Sequence, residues 1–192
     1  RSCRYATGGS QCCASSLYLL PWCVSLTFFF ERESDEEIAA GLANFVPTAN
    51  RMEWEKGDCG EDIMSDIYNS NPTAVKAVTA SFGQVPVSEG GRRIAVLADM
   101  LELGSRSADL HKGLAACLDP DKINVLYLYG PEMNHLYQAL LDKYGQQNLH
   151  YYPEDEMSHL IDDLKGDIHS QDIVLLKGSH GMHLERVLDR LK

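Results

Sequence analysis

The sequence predicts an α/β fold: a mostly parallel sheet of about six strands with helices on both faces. Three observations predict it. Short, nearly continuous apolar runs recur at 93–98 (RIAVLA), 124–129 (NVLYLY) and 172–176 (DIVLL). Strands that are apolar throughout are strands covered on two sides. Amphipathic stretches long enough for helices lie between these runs, and polar turns carrying Gly or Pro close them.

The elements follow in order. Ser34-Asp-Glu-Glu37 predicts a helix start, with Ser34 as cap and Glu37 completing a capping box. That helix runs to Asn44, buries Ile38 and Leu42, and is ended by Pro47. Residues 51–56 read as a short strand. Lys56-Gly-Asp-Cys-Gly60 reads as a turn into a second strand over 61–68. Helices are predicted over 73–82, 107–117, 132–144, 154–165 and 183–191, with a further strand over 148–152. The alternation is a Rossmann-like layout.

Composition narrows the function classes. The chain has 17 Lys+Arg against 28 Asp+Glu, a formal net charge of −11. No stripe of clustered basic residues exists, so a nucleic-acid partner is not expected. No apolar run reaches the ~18 to 20 residues needed to span a bilayer, so no membrane partner is expected either. Residues 17–30 are the nearest approach. They follow Arg1 and Arg4, but ERESDEE comes next and no A-x-A-like cleavage site does, so the run reads as something other than a secretory signal. Cys3, Cys12, Cys13, Cys23, Cys59 and Cys117 form no C-x-x-C pair. Free thiols in a reducing cytoplasm are the simple reading.

Domain organisation changes near residue 31. Residues 1–30 contain neither Asp nor Glu and show no period of either kind. We read 1–33 as a poorly specified or aberrant segment, a mistranslated stretch or the damaged end of a preceding domain. Residues 34–50 read as a helix and hinge, and 51–192 as the domain proper.

In open sheets of this type, ligands sit outside the carboxyl ends of the strands. That rule selects three loops: Tyr68-Asn-Ser-Asn-Pro72, Asp99-Met-Leu-Glu-Leu-Gly104 and Lys177-Gly-Ser-His-Gly181. In the first, Asn69 and Asn71 offer amide donors and acceptors at a helix start, or serve only as caps. Asp66, inside the preceding strand, needs a partner if buried. In the second, Asp99 and Glu102 suit a ribose, an ammonium or a hydrated metal, or merely an acidic first turn. His111, alone on a helix, reads as structural. In the third, Lys177 suits a phosphate or carboxylate, with Gly178 allowing close approach. His180 and His183 have metal-like spacing without a third ligand, so they read as exposed and no metal site is assigned.

Taken together, the loops carry a resemblance. Pro47-Thr-Ala-Asn-Arg-Met-Glu53, Asp66-Ile-Tyr-Asn-Ser-Asn-Pro72, Ala95-Val-Leu-Ala-Asp-Met-Leu-Glu-Leu-Gly104, His111 and Leu176-Lys-Gly-Ser179 occur in order. With them, residues 34–192 resemble the C-terminal domain of the Mur ligases, most closely the branch that adds D-alanyl-D-alanine. Ser70 stands where that family usually has alanine. The resemblance implies an ATP- and Mg2+-dependent ligase of peptidoglycan precursor synthesis. A peptide carboxylate of UDP-N-acetylmuramoyl-tripeptide is phosphorylated. The amine of D-alanyl-D-alanine then attacks, giving a tetrahedral intermediate and an amide. By the same resemblance, Arg51 and Asp66 face the nucleotide, Asn69 and Asn71 lie at its adenine–ribose side, and Asp99, Lys177 and Ser179 line the cleft for the dipeptide amine.

The family's P-loop and UDP-binding domains have no counterpart in these residues. The expectation is therefore a cytoplasmic, monomeric piece, inactive alone and without a tightly bound cofactor. A free-standing Rossmann-like module for a nucleotide or small ligand is the open alternative. Against it, neither G-x-x-x-x-G-K-S/T nor G-x-G-x-x-G occurs.

Overall fold

The computed structural model describes residues 52–192. The readings made for 1–33, for 34–50 and for Arg51 lie outside the described residues.

Six strands form one sheet in the order β1-β2-β6-β3-β4-β5. They are β1 (Glu53–Lys56), β2 (Asp62–Asp66), β3 (Arg93–Ala98), β4 (Val125–Tyr129), β5 (Leu149–Tyr152) and β6 (Ile173–Lys177). Only the first pairing, β1 with β2, is antiparallel; the rest are parallel. The turn over 57–60 permits that hairpin, with Gly60 at φ 98° where a side chain would be strained. The α-helices among the described residues are α1 (Pro72–Phe82), α2 (Ser107–Lys112), α3 (Met133–Leu140), α4 (Met157–Asp167) and α5 (Glu185–Leu191).

The parallel strands are buried on both faces because each face has its own core. One core gathers Ile94, Val96, Tyr127 and Leu176 from the strands with Leu160, Leu164, Val187 and Leu188 from α4 and α5. The other gathers Ala95, Leu97, Leu126 and Leu175 with Val75, Phe82, Leu136 and Leu140 from α1 and α3. Consecutive strand residues alternate between the two cores, as the two-residue pleat requires. Burying each large side chain is worth about 1.5–3 kcal/mol, so both layers hold the sheet firmly.

The chain runs outward from β3 to β4 and β5, then returns to insert β6 between β2 and β3. That reversal makes β2, β6 and β3 neighbours, and the carboxyl ends of such strands are where sheets of this type take ligands.

Two local departures from the sequence reading have physical causes. The helix expected over 107–117 is α-helical only through Lys112, continuing as a 3-10 turn at Gly113–Ala116, and a further 3-10 turn at Gly104–Arg106 precedes it. Gly104, at φ 61°, starts this segment in a turn conformation, and Gly113 at the end of α2 favours tightening over propagation. Second, β6 extends one residue further than its apolar run, taking in Lys177.

Candidate functional site

The first loop is built by the start of α1. Asn71 has extended backbone angles, and its Oδ1 accepts the Ala74 N–H at 2.9 Å, with Pro72 opening the helix. An Asn cap followed by Pro is the favoured way to begin a helix. α1 buries Val75, Val78, Thr79 and Phe82 at helical spacing, so its N-terminus is fixed at the end of β2. Asn71 itself is exposed there.

Asp66 and Lys177 end β2 and β6 as direct register partners. On parallel strands such partners project to the same face, and here they form an ion pair at 3.3 Å. The Lys177 side chain is only 1% exposed and that of Asp66 is 17%. The Lys177 Nζ also donates to the main-chain carbonyl of Asp66 at 3.3 Å and to that of Asn69. Lys177 is therefore a strand residue turned inward onto the first loop, where the sequence had placed it in a loop lining a cleft.

Asp99 is 2% exposed. Its Oδ1 accepts the Met133 N–H at 2.8 Å and its Oδ2 the Glu132 N–H at 3.1 Å, so it caps α3 from the neighbouring strand. Burial pushes its carboxyl above the usual carboxylate range, against the lowering effect of those two N–H donors. Gly130, at φ 112°, lets it pack: a Cβ there would lie 2.5 Å from the Asp99 Cγ. The sequence left Asp99 between a ligand group and an acidic first turn, and the resemblance put it on the dipeptide side; in the structure its carboxylate holds the start of α3.

Ser179 ties the second and third loops together. Its Oγ accepts the Leu101 N–H at 3.0 Å, and its N–H reaches the Asp99 carbonyl at 3.4 Å. Gly178 and Gly181 sit where a Cβ would press within 2.9 Å of Ala98 and 2.8 Å of Leu101. Fully buried His111 completes the second loop: its Nε2 accepts the Met100 N–H at 2.9 Å, and its Nδ1 donates to the Ser107 carbonyl at 2.8 Å. These two contacts assign the tautomer. The structural reading of His111 agrees with this.

On the outer rim, His180 meets Tyr68 edge-on at 6.3 Å and His183 at 6.4 Å, while His183 Nδ1 lies 2.9 Å from Glu185. Both histidines are exposed, as expected, and His183 has a left-handed backbone at φ 55°. Among the described residues no three His, Cys, Asp or Glu side chains converge in a way that could hold a metal ion. At the start of α1 the Asn71 side chain stays exposed, while the Asp66 carboxylate is paired with Lys177.

Asp66, Asn69, Asn71, Asp99, Lys177 and Ser179 all lie at one edge of the sheet, and contacts link the loops carrying them. The tie that the sequence did not reveal is His111 to Met100, since its partner is reached only through the turn at Gly104.

Comparison with known proteins meets the same edge. Residues 50–180 match the family model described as Mur ligase, glutamate ligase domain. The chain is 33% identical over 157 residues to the UDP-N-acetylmuramoyl-tripeptide–D-alanyl-D-alanine ligase of Bacillus subtilis (strain 168), covering 81% of this chain and 33% of that relative. It is 27% identical over 127 residues to the enzyme of the same name from Rickettsia prowazekii (strain Madrid E), covering 66% and 26%. The chain thus spans about a third of the length of the curated relatives it matches. The crystal structure of MurF ligase from Thermotoga maritima in complex with ADP superposes with a TM-score of 0.66 at 22% identity, over 88% of this chain and 35% of that one. At that identity the likeness shows the fold. With a family match across two of the three rim loops and into the third, on a sheet of the same build, this chain belongs to the Mur ligase family.

Proposed function

We propose that this chain is the C-terminal part of an ATP-dependent ligase that adds D-alanyl-D-alanine to UDP-N-acetylmuramoyl-tripeptide. The observation that carries the reading is the linked edge itself: Asp66 at the end of β2 with Asn69 and Asn71 on the loop that follows, joined through Lys177 and Ser179 to the loop that begins at Asp99. Support comes from the 33% identity to a ligase of that name over most of this chain.

In this reading Arg51, Asp66, Asn69 and Asn71 take the nucleotide. The start of α1 favours an electron-rich group, and the exposed Asn71 amide offers both a donor and an acceptor. ATP is the nucleotide, and one structural neighbour is a MurF ligase in complex with ADP. Mg2+ is held by residues outside this set, and no step is assigned to it here. Ser179 and Asp99 serve the dipeptide side by fixing the shape of the loops that face it, while Lys177, which the resemblance puts on that side, holds the loop after β2. Ligases of this type must hold two reactants in line, and rigid loops on a strand edge meet that need. The domain works as a monomer in the cytoplasm and needs the remaining two thirds of its relatives' length to turn over.

Isotope-labelled protein titrated with ATP, NAD and D-alanyl-D-alanine tests the reading. The expected result is weak, ATP-dependent shifts confined to residues 66–74, with dipeptide shifts near 99–104 and 178–183. Tight NAD binding would support a free-standing dinucleotide module instead. Robust ATP-dependent amide synthesis by the 192-residue chain alone would refute its dependence on further domains.

A further inference from the structure

Three consecutive residues hold both loops of the edge in place. β6 lies between β2 and β3, so the segment leaving it touches the loop that follows each neighbour. Lys177 turns to one side. Its buried ammonium meets the Asp66 carboxylate and the carbonyls of Asp66 and Asn69. Ser179, two residues on, turns to the other. It accepts the Leu101 N–H through its hydroxyl and donates its own N–H to the Asp99 carbonyl. Gly178 between them has no room for a side chain, because a Cβ would press on both Ala98 and Leu184 at 2.9 Å. The segment is thus seated against β3 and against the start of α5 at once.

We propose that Lys177-Gly-Ser179 is a positioning element: Lys177 sets the loop after β2, Ser179 sets the loop after β3, and neither side chain needs to touch a ligand. The chemistry favours this. An ammonium at 1% exposure with one carboxylate and two carbonyls around it is spent on the protein, and charge-assisted bonds of this kind are the strong ones. Carbonyls at a strand's end and in the loop beyond it lack ladder partners, so a cation satisfying one of each fixes backbone that would otherwise turn to water. The inference rests on the ligase reading only for what the loops bind; the clamp itself is independent of it.

Amide hydrogen exchange on the 192-residue chain tests the proposal through two variants. Lys177→Met keeps the stem and removes the charge; Ser179→Ala removes the acceptor of the Leu101 N–H. The expected result is a split pattern: Lys177→Met speeds exchange at residues 68–75 by about tenfold or more, Ser179→Ala does so at 100–104, and β4 and β5 keep their protection in both. A variant that folds and leaves its own loop unchanged overturns the proposal, as does uniform loosening of both loops by either one. If Lys177→Met does not fold, the unaltered protein still decides. A slowly exchanging Lys177 ammonium signal, coupled across the hydrogen bond to the Asn69 carbonyl carbon, is expected, and its absence sinks the clamp. Adding ATP separates the two ideas: no response in the unaltered chain counts against the nucleotide reading, while the exchange pattern alone judges the clamp.

Discussion

Asp66 and Lys177 stand directly opposite each other at the ends of two parallel strands, 111 positions apart in sequence, and close a nearly buried ion pair at 3.3 Å. Removing one partner of such a pair leaves the other without compensation, which typically costs 3–5 kcal/mol for a fully buried pair. Lys177→Ala is therefore expected to lower unfolding free energy by about 3 kcal/mol. Asp66→Asn leaves the two carbonyl contacts of Lys177 in place and costs less. A double-mutant cycle in urea should return a coupling of about 1–3 kcal/mol; additivity would show that the pair contributes nothing.

Ser70 gives a prediction of opposite sign. Its hydroxyl is buried and has no hydrogen-bond partner, and Ser65 in β2 shares that condition. A buried polar group left unmade costs about 1–3 kcal/mol. Ser70→Ala and Ser65→Ala should each be neutral or raise the melting temperature by a few degrees. A fall of more than about 1 kcal/mol in either would mean the hydroxyl has a partner after all.

Gly130 is the place where the smallest addition does the most harm. A methyl group there meets the Asp99 carboxylate at 2.5 Å, at a φ of 112° that side chains avoid. Gly130→Ala should cost about 2 kcal/mol or more. It should also unfasten the start of α3, seen as faster exchange of the Met133 N–H. Asp99→Ala should loosen the same amide.

Acid stability should depend on the opposite end of the sheet. Burial pushes the Asp172 carboxyl up, but the Arg92 guanidinium and the N–H groups of His169 and Arg92 more than reverse this, holding it below its usual value of 3.8. Arg92 grips both oxygens of Asp172 and reaches Asp167 at 2.8 Å. A carboxylate lowered in the folded state binds fewer protons than in the unfolded chain. Its contribution is thus complete above pH 3.8 and is lost as pH falls further, toward the folded value. Arg92→Met should shrink that acid-limb slope in denaturation curves below pH 4, with little change in slope at pH 7. An unchanged acid limb would show that Asp172 draws no stability from Arg92.

Much of the fold was legible because its signals are local. The run Arg93–Ala98 is apolar from its second residue on and became β3 without adjustment. Asn71-Pro72 announced α1, and the cap is there. The site was legible as a set of loops, since strand ends are easy to locate, but not as a set of roles. Lys177 looked like a loop cation because a charge normally ends an apolar strand. Its partner comes from a strand adjacent only through the return of β6, which no local pattern encodes. The partners of Asp99 were hidden for a related reason: its two N–H donors belong to the start of α3, beyond another strand. The helix over 107–117 was overextended because helical periodicity tolerates one glycine, whereas the chain tightens into a 3-10 turn at Gly113.

The loop after β3 has one more consequence. Its two leading amides, at Met100 and Leu101, are already taken by His111 and Ser179. A run of unspoken-for N–H groups is what usually cradles a developing oxyanion. This stretch has given its first two away, so an anion meeting the loop after β3 finds neither of them free.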